Sequence, residues 1–215
     1  MKHLWILGLA LALSASGCKS AYYGAMEKVG IDKREIMVDR VAGAREAQDQ
    51  AKETIKSTLE QFAAVVEIKS GDLEKTYNKF DKLFKETEAD VNEVHSRIAS
   101  IESVSGALFK EWKAEIKTYN NAELRKQSEA QLKASQARYE QMIKAMKTAS
   151  AQMDPVLTAF RDQVLFLKHN LNSAAISSIQ GEVVKIQGDV NRLIADMEKA
   201  IAEADSFIKA WQNPN

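Results

Sequence analysis

Residues 73–101 read LEKTYNKFDKLFKETEADVNEVHSRIASI, and the apolar positions in this stretch decide the fold. Leu73, Tyr77, Phe80, Phe84, Thr87, Val91, Val94, Ile98 and Ile101 step strictly by four and three. With about 3.6 residues per helical turn, that spacing keeps one narrow apolar stripe on one side, the seam along which long helices pack. The stripe continues through Ser105, Leu108, Trp112, Ile116 and Tyr119, which predicts a helix from residue 73 to residue 119. Gly106 inside it costs about 1 kcal/mol relative to Ala and is expected to mark a bend or a close helix contact.

The same rhythm extends to either side. Upstream, Asp32-Lys33-Arg34-Glu35 has the form of a capping box, and a seam follows at Met37, Val41, Ala44, Gln48, Ala51, Ile55, Phe62 and Val65/Val66. This helix is expected to stop near Ser70-Gly71, with Asp72 capping its successor. Downstream, Asn120-Asn121-Ala122-Glu123 opens a third helix that uses Leu124, Ser128, Leu132, Tyr139, Met142, Met146, Ala149 and Met153. Asp154-Pro155 is the sharpest punctuation in the chain, and it predicts the end of helix three and the N-cap and first residue of helix four. The fourth seam runs from Val156, Leu157 and Phe160 to Ile208 and Trp211, with a weakly helical patch over 170–181 that leaves one kinked helix or two equally open.

Helices of about 37, 48, 32 and 57 residues would be roughly 55, 70, 48 and 85 Å long. Long helices with short connections make antiparallel neighbours. The expected fold is all-α, an elongated antiparallel bundle of about four long heptad-patterned helices, with residues 32–213 as a single domain. The chain has two prolines, and no alternating β-branched runs bounded by turns suggest strands.

The N-terminus carries a different message. Lys2 and His3 precede an apolar run from Leu4 to Leu13, then Ser14-Ala15-Ser16-Gly17 and Cys18, the only cysteine. A basic start, a short apolar core and small residues before a cut describe a signal peptide over 1–17. A cysteine directly after the cut makes it a lipoprotein signal, whose thiol receives a diacylglycerol and whose new amine receives a further chain such as palmitate. Position −3 is Ala15, where such signals usually have Leu, and a plain signal peptide followed by a chance cysteine is the competing reading. Burial of each methylene contributes about 0.8 kcal/mol, so three chains anchor durably. The run is shorter than the roughly 20 residues a membrane span needs. Residues 18–31 are expected to form an acylated tether, with Tyr22 and Tyr23 either at the headgroup level or packed on a helix. Lys19 in place of Asp points, by analogy with lipoprotein sorting, to an outer membrane location facing the periplasm.

Charge and chemistry narrow the function classes. Removing residues 1–17 takes Lys2 and leaves 29 basic against 30 acidic residues, a net charge of −1. Such a balance gives no basic surface for nucleic acid. His95 and His169 have no acidic or histidine neighbour at helical ligand spacing, and neither a phosphate-cradling glycine loop nor a nucleophile elbow is present. No enzyme, metal or cofactor is expected. One stretch stands out: Val164-Leu165-Phe166-Leu167 is apolar all round the helix, and Lys168, His169, Asn170 and Asn172 follow at once. Three readings compete for it. The polar groups could sit at the bundle centre and fix register, form a docking patch, or hold a ligand or metal.

The segments Lys33-Arg34-Glu35 through Val41-Ala42-Gly43-Ala44-Arg45, Leu108-Phe109-Lys110-Glu111-Trp112, and Met153-Asp154-Pro155 through Lys168-His169-Asn170-Leu171-Asn172 resemble the bacterial lipoproteins of domain of unknown function 2959. The resemblance runs over nearly the whole mature chain. It implies a Gram-negative envelope lipoprotein and carries no catalytic residues across. The expected role is a nonenzymatic structural or adaptor bundle, held to the membrane by its lipid anchor and presented to an envelope protein partner; the seams also admit a homo-oligomer. Direct binding or remodelling of the membrane surface, and a small-ligand carrier built around His169, are the alternatives. Small-angle scattering of the mature domain should give a radius of gyration clearly above the roughly 16–17 Å of a compact domain of this size; a value at or below that range contradicts the rod.

Overall fold

The structure, a computed structural model, describes residues 22, 23, 26, 32–68 and 73–212. The signal segment, Cys18, most of the tether and the Ser70-Gly71-Asp72 turn lie outside the described residues. Among the described residues four long helices build the bundle: α1 (Lys33–Glu67), α2 (Leu73–Ile116), α3 (Ala122–His169) and α4 (Ser173–Gln212). At 1.5 Å per residue they measure about 52, 66, 72 and 60 Å. Each packs chiefly on its neighbours in a ring, α1 on α2, α2 on α3, α3 on α4 and α4 on α1. The expected all-α antiparallel bundle is the fold, and among the described residues there is no strand.

The core follows the seams read from the sequence except at the second turn between helices, where Tyr119 and Leu124, expected in the seams, are exposed because the stripe has run past the end of the packed bundle. Met37, Val41, Ala44, Ile55 and Phe62 of α1 are fully buried, as are Phe80, Val91, Val94 and Ile101 of α2. Phe62 stacks on Phe80 with ring centroids 5.2 Å apart, and Phe160 of α3 meets Phe80 edge-on at 6.3 Å. Ion pairs and hydrogen bonds bridge the ring outside this core, among them Lys33–Glu111 at 2.7 Å, Lys147–Glu102 at 2.8 Å and Gln141 to Glu203 at 2.9 Å. Along the shaft, the hydrogen bond to Glu102 holds the Lys147 ammonium above its ordinary range, and burial pushes the Tyr139 phenol up.

Three expectations about helix ends need correction. Asp154-Pro155 does not divide two helices, because α3 runs through it to His169. The reason lies in the seam. Met142, Met146, Ala149, Met153, Val156, Phe160, Val164 and Leu167 are all buried, at steps of three and four that never lose phase across the proline. A break there would turn one half of the stripe out of the core. Pro155 itself is exposed, as is Ala151, whose carbonyl loses its helical donor to the proline and stays within reach of water. The chain instead breaks at 170–172, and the patch from Ser173 to Gly181 is helical. The expected helix four of about 57 residues is therefore the last part of α3 plus a separate α4 of 40 residues.

The smaller corrections concern α2 and the helix caps. α2 ends at Ile116, and Thr118 closes its last turn by donating to the Glu115 carbonyl at 2.7 Å. The cap of α3 is Asn121 rather than Asn120, accepting from the amides of Glu123 and Leu124 at 2.9 and 3.1 Å. Asp32 caps α1 as expected, accepting from Arg34 and Glu35 at 2.7 and 3.0 Å. Gly106 does not mark a close helix contact: α2 is continuous there and a Cβ would meet nothing within 4 Å.

Proline inside a helix forfeits one hydrogen bond and crowds the preceding turn. Pro155→Ala should therefore stabilise the protein by about 1–3 kcal/mol, raising its thermal midpoint by several degrees. An unchanged or lower midpoint would instead fit a proline that begins a helix.

Candidate functional site

The starts of α1 and α3 and the ends of α2 and α4 share one end of the bundle, here the proximal end. The end of α1, the start of α2 and the α3–α4 turn share the other, distal end. The apolar turn at 164–167 and the polar residues Lys168, His169, Asn170 and Asn172 lie at the distal end.

The four-residue apolar turn divides its side chains between the two environments. Val164 and Leu167 are in the core, while Leu165 and Phe166 are 56% and 38% exposed on the outer face of α3. Lys168 and His169 are exposed on the last turn of α3, where a cation meets the carbonyl end of the helix favourably. Asn170 ends the helix: its backbone N–H donates to the Leu167 carbonyl at 3.2 Å and its side-chain amide to the Phe166 carbonyl at 2.9 Å. Asn172 begins the next helix, its side-chain oxygen accepting from the Ala175 amide at 3.0 Å and its carbonyl from Ile176 at 3.1 Å.

Of the three readings, the one that puts Lys168, His169, Asn170 and Asn172 at the bundle centre does not match their placement: Lys168, His169 and Asn172 are exposed and Asn170 is half-buried. They build a tight helix-to-helix turn on the surface. The physical cause is the competition asparagine offers the helical backbone, whose carbonyls and amides its side chain can satisfy locally. Two asparagines two residues apart cap both helices at once.

Beside this turn lies a feature the sequence reading missed. The last turn of α1 and the first three turns of α4 leave an open groove of about 770 Å³ between them, where the apolar Val66, Ile68, Ile176, Val183 and Val184 alternate with the polar Glu67, Ser173, Ser177 and Gln180. Val184 is 73% exposed. The signal was available: Val184 stands next to the seam residue Val183, and Ile68 lies beyond the last full seam position of α1, so both are apolar residues in excess of what the stripe uses.

The proximal end is built differently. The Arg34 guanidinium lies 5.9 Å from the Trp112 ring and 5.6 Å from the Trp211 ring, so a cation joins the ends of α2 and α4 to the start of α1. Trp112 donates its indole N–H to Ser128 at 2.9 Å. Tyr23 is buried against the α1–α2 face, its hydroxyl 3.0 Å from Ser103 and accepting from Arg40 at 3.2 Å. Of the two environments open to the tyrosine pair, Tyr23 takes the packed one and Tyr22 stays 45% exposed.

Among the described residues no three or more His, Cys, Asp or Glu side chains converge as a metal site would require, and no helix is long and apolar enough to cross a membrane. His95 approaches only Asp154, at 3.8 Å.

A family model described as a protein of unknown function, DUF2959, matches residues 22–211. No curated protein and no solved structure matches the chain.

Loss of an asparagine N-cap costs about 1 kcal/mol. Asn172→Ala should lower stability by about that much, Asn172→Asp should largely restore it, and His169→Ala should stay within about 0.5 kcal/mol of the parent. A loss of 3 kcal/mol or more from His169→Ala in thermal or urea unfolding would contradict the surface turn.

Proposed function

We propose, for a chain that belongs to the DUF2959 family of proteins of unknown function, the role of a nonenzymatic adaptor, anchored in the bacterial outer membrane through an acylated Cys18 and facing the periplasm. The observation that carries the proposal is the opposition of the two ends. Tyr23, five residues after Cys18, is packed near the proximal end, and the groove opens at the distal end. Tyr23 contacts Arg40, and the stretch of α1 from Arg40 to Val66 separates these levels by about 39 Å. A rigid spacer with its anchor at one end and an open groove at the other suits the presentation of a binding surface away from the membrane.

The groove fits a protein segment, specifically one apolar face of a partner helix. Its lining comes from two antiparallel helices and combines the apolar Val66, Ile68, Ile176, Val183 and Val184 with the polar Glu67, Ser173, Ser177 and Gln180, a mixed surface that suits an amphipathic helix docking through residues spaced three and four apart. Leu165 and Phe166 extend the exposed apolar surface on the neighbouring face of the same end. The alternative of a small-ligand carrier around His169 draws less support, because that residue is exposed on the last turn of α3.

The two halves of the proposal are tested separately. Globomycin should accumulate an uncleaved precursor, and Cys18→Ser should abolish lipid attachment; a normally processed, soluble Cys18→Ser product would refute the anchor. For the adaptor role, a photocrosslinking amino acid at Gln180 on the groove should give a discrete protein adduct in intact cells. The same group at Lys133 on the shaft should not. Val184→Asp should remove the Gln180 adduct with melting essentially unchanged. Equal labelling from both positions, or none from Gln180, would refute the docking end.

A further inference from the structure

The packing of Tyr23 sets a limit on how far the bundle can stand from its membrane. Its hydroxyl lies 3.0 Å from Ser103 of α2 and its ring lies under the Arg40 guanidinium at 5.6 Å, so this point of the chain is fixed on the bundle. From there to Cys18 are five residues, which at full extension reach about 17 Å. α2 continues from Ser103 toward the proximal end for thirteen further residues to Ile116, about 20 Å along the helix axis, and the turn to α3 lies beyond it. An upright bundle therefore brings the α2–α3 turn to the plane of the anchor before the leash is fully drawn out.

The composition of that turn suits the place. Tyr119 is 39% and Leu124 49% exposed, two of the few large hydrophobic side chains left in solvent among the described residues. Lys113, Lys117, Arg125 and Lys126 are exposed around them. Between residues 113 and 126 there are four cations against two acids, Glu115 and Glu123, in a chain whose overall charge is zero. The turn is also stiff: Asn121 caps α3, and Arg125 donates to the Tyr119 carbonyl at 2.6 Å. An amphipathic tyrosine with an adjacent leucine and a ring of cations matches the headgroup level of an anionic bilayer.

From the leash length and this surface, we infer that the α2–α3 turn is a second membrane contact, in which Tyr119 and Leu124 enter the headgroup layer and Lys113, Lys117 and Lys126 meet anionic lipid phosphates. The inference rests on the lipid anchor at Cys18. Two side chains would hold a free protein poorly, but the anchor makes the contact intramolecular, and its high effective concentration lets a weak contact persist. The consequence is orientation. With lipid at Cys18 and the turn on the surface, the bundle has two points of attachment at its proximal end, and the distal groove is held away from the bilayer.

The test uses the full lipidated protein in vesicles of phosphatidylethanolamine and phosphatidylglycerol at three to one. A nitroxide is placed at Tyr119→Cys or, for comparison, at Phe166→Cys near the distal end. Collision with oxygen against a water-soluble nickel chelate reports depth. The label at 119 should read at headgroup depth and the label at 166 fully aqueous. A triple reversal, Lys113→Glu, Lys117→Glu and Lys126→Glu, should return the label at 119 to the aqueous reading while the protein stays on the vesicles. An aqueous label at 119 on vesicle-bound protein overturns the inference and leaves the anchor intact. Headgroup readings at both positions also overturn it, since the molecule would then lie flat. Protein that fails to remain with the vesicles refutes the anchor itself.

Discussion

The phase of the apolar seam constrains everything else in this structure. Each helix must keep one stripe turned inward along about 50–70 Å of bundle, and a slip of one residue anywhere turns the remaining stripe by about 100°. That constraint explains why α3 carries Pro155 through its middle. The lost hydrogen bond and the crowding cost about 3 kcal/mol or more, whereas Val156, Leu157, Phe160, Val164 and Leu167 all follow the proline and all are buried. At roughly 1.5–3 kcal/mol for each buried side chain of this size, continuity of the stripe outweighs the local breaker.

Polar groups inside the seam work with the apolar phase. Thr87 donates to the Leu83 carbonyl at 2.8 Å in its own helix, which leaves Thr58 to donate across to Thr87 at 2.7 Å with both residues fully buried. A buried hydroxyl pair satisfied in this way fixes the register of α1 on α2, since a shift would take from the Thr58 hydroxyl its acceptor across the core. Thr54, 2.5 Å from Asp90, adds a second rung on the same pair of helices. Gln48 and the indole N–H of Trp211 are exceptions. Gln48 is fully buried with neither amide atom hydrogen-bonded, a cost the bundle carries at a seam position flanked by the buried Ala44 and Ala51.

Because the helices are long and the connections short, the two ends of the bundle are the places where the sequence is free to depart from the heptad, and it does so in opposite ways. The proximal end gathers aromatic rings and arginines that knit the start of the domain to α2 and α4, with Arg34 between Trp112 and Trp211. The distal end leaves apolar side chains uncovered along α1 and α4 beside a turn capped by two asparagines. The proposed division of labour, attachment at one end and presentation at the other, follows from this asymmetry.

The sequence by itself determined the fold class, the four seams and most of the core, because heptad spacing is a local property: whether Phe80 and Phe84 share a helix face depends only on their separation along the chain. It also determined the caps at Asp32 and around Asn121, where the capping oxygen reaches amides two and three residues away. Tertiary structure decided what depends on competition between distant groups. Asp154-Pro155 is the stronger local break and Asn170-Leu171-Asn172 the weaker one, yet only the core on three neighbouring helices shows which break leaves the stripes buried. The same holds for the polar cluster at 168–172, whose residue types suit a buried network and a surface turn equally well. The distal groove exists because the end of α1 and the start of α4 carry apolar residues on facing sides, and facing sides are set by the packing of two segments more than a hundred residues apart.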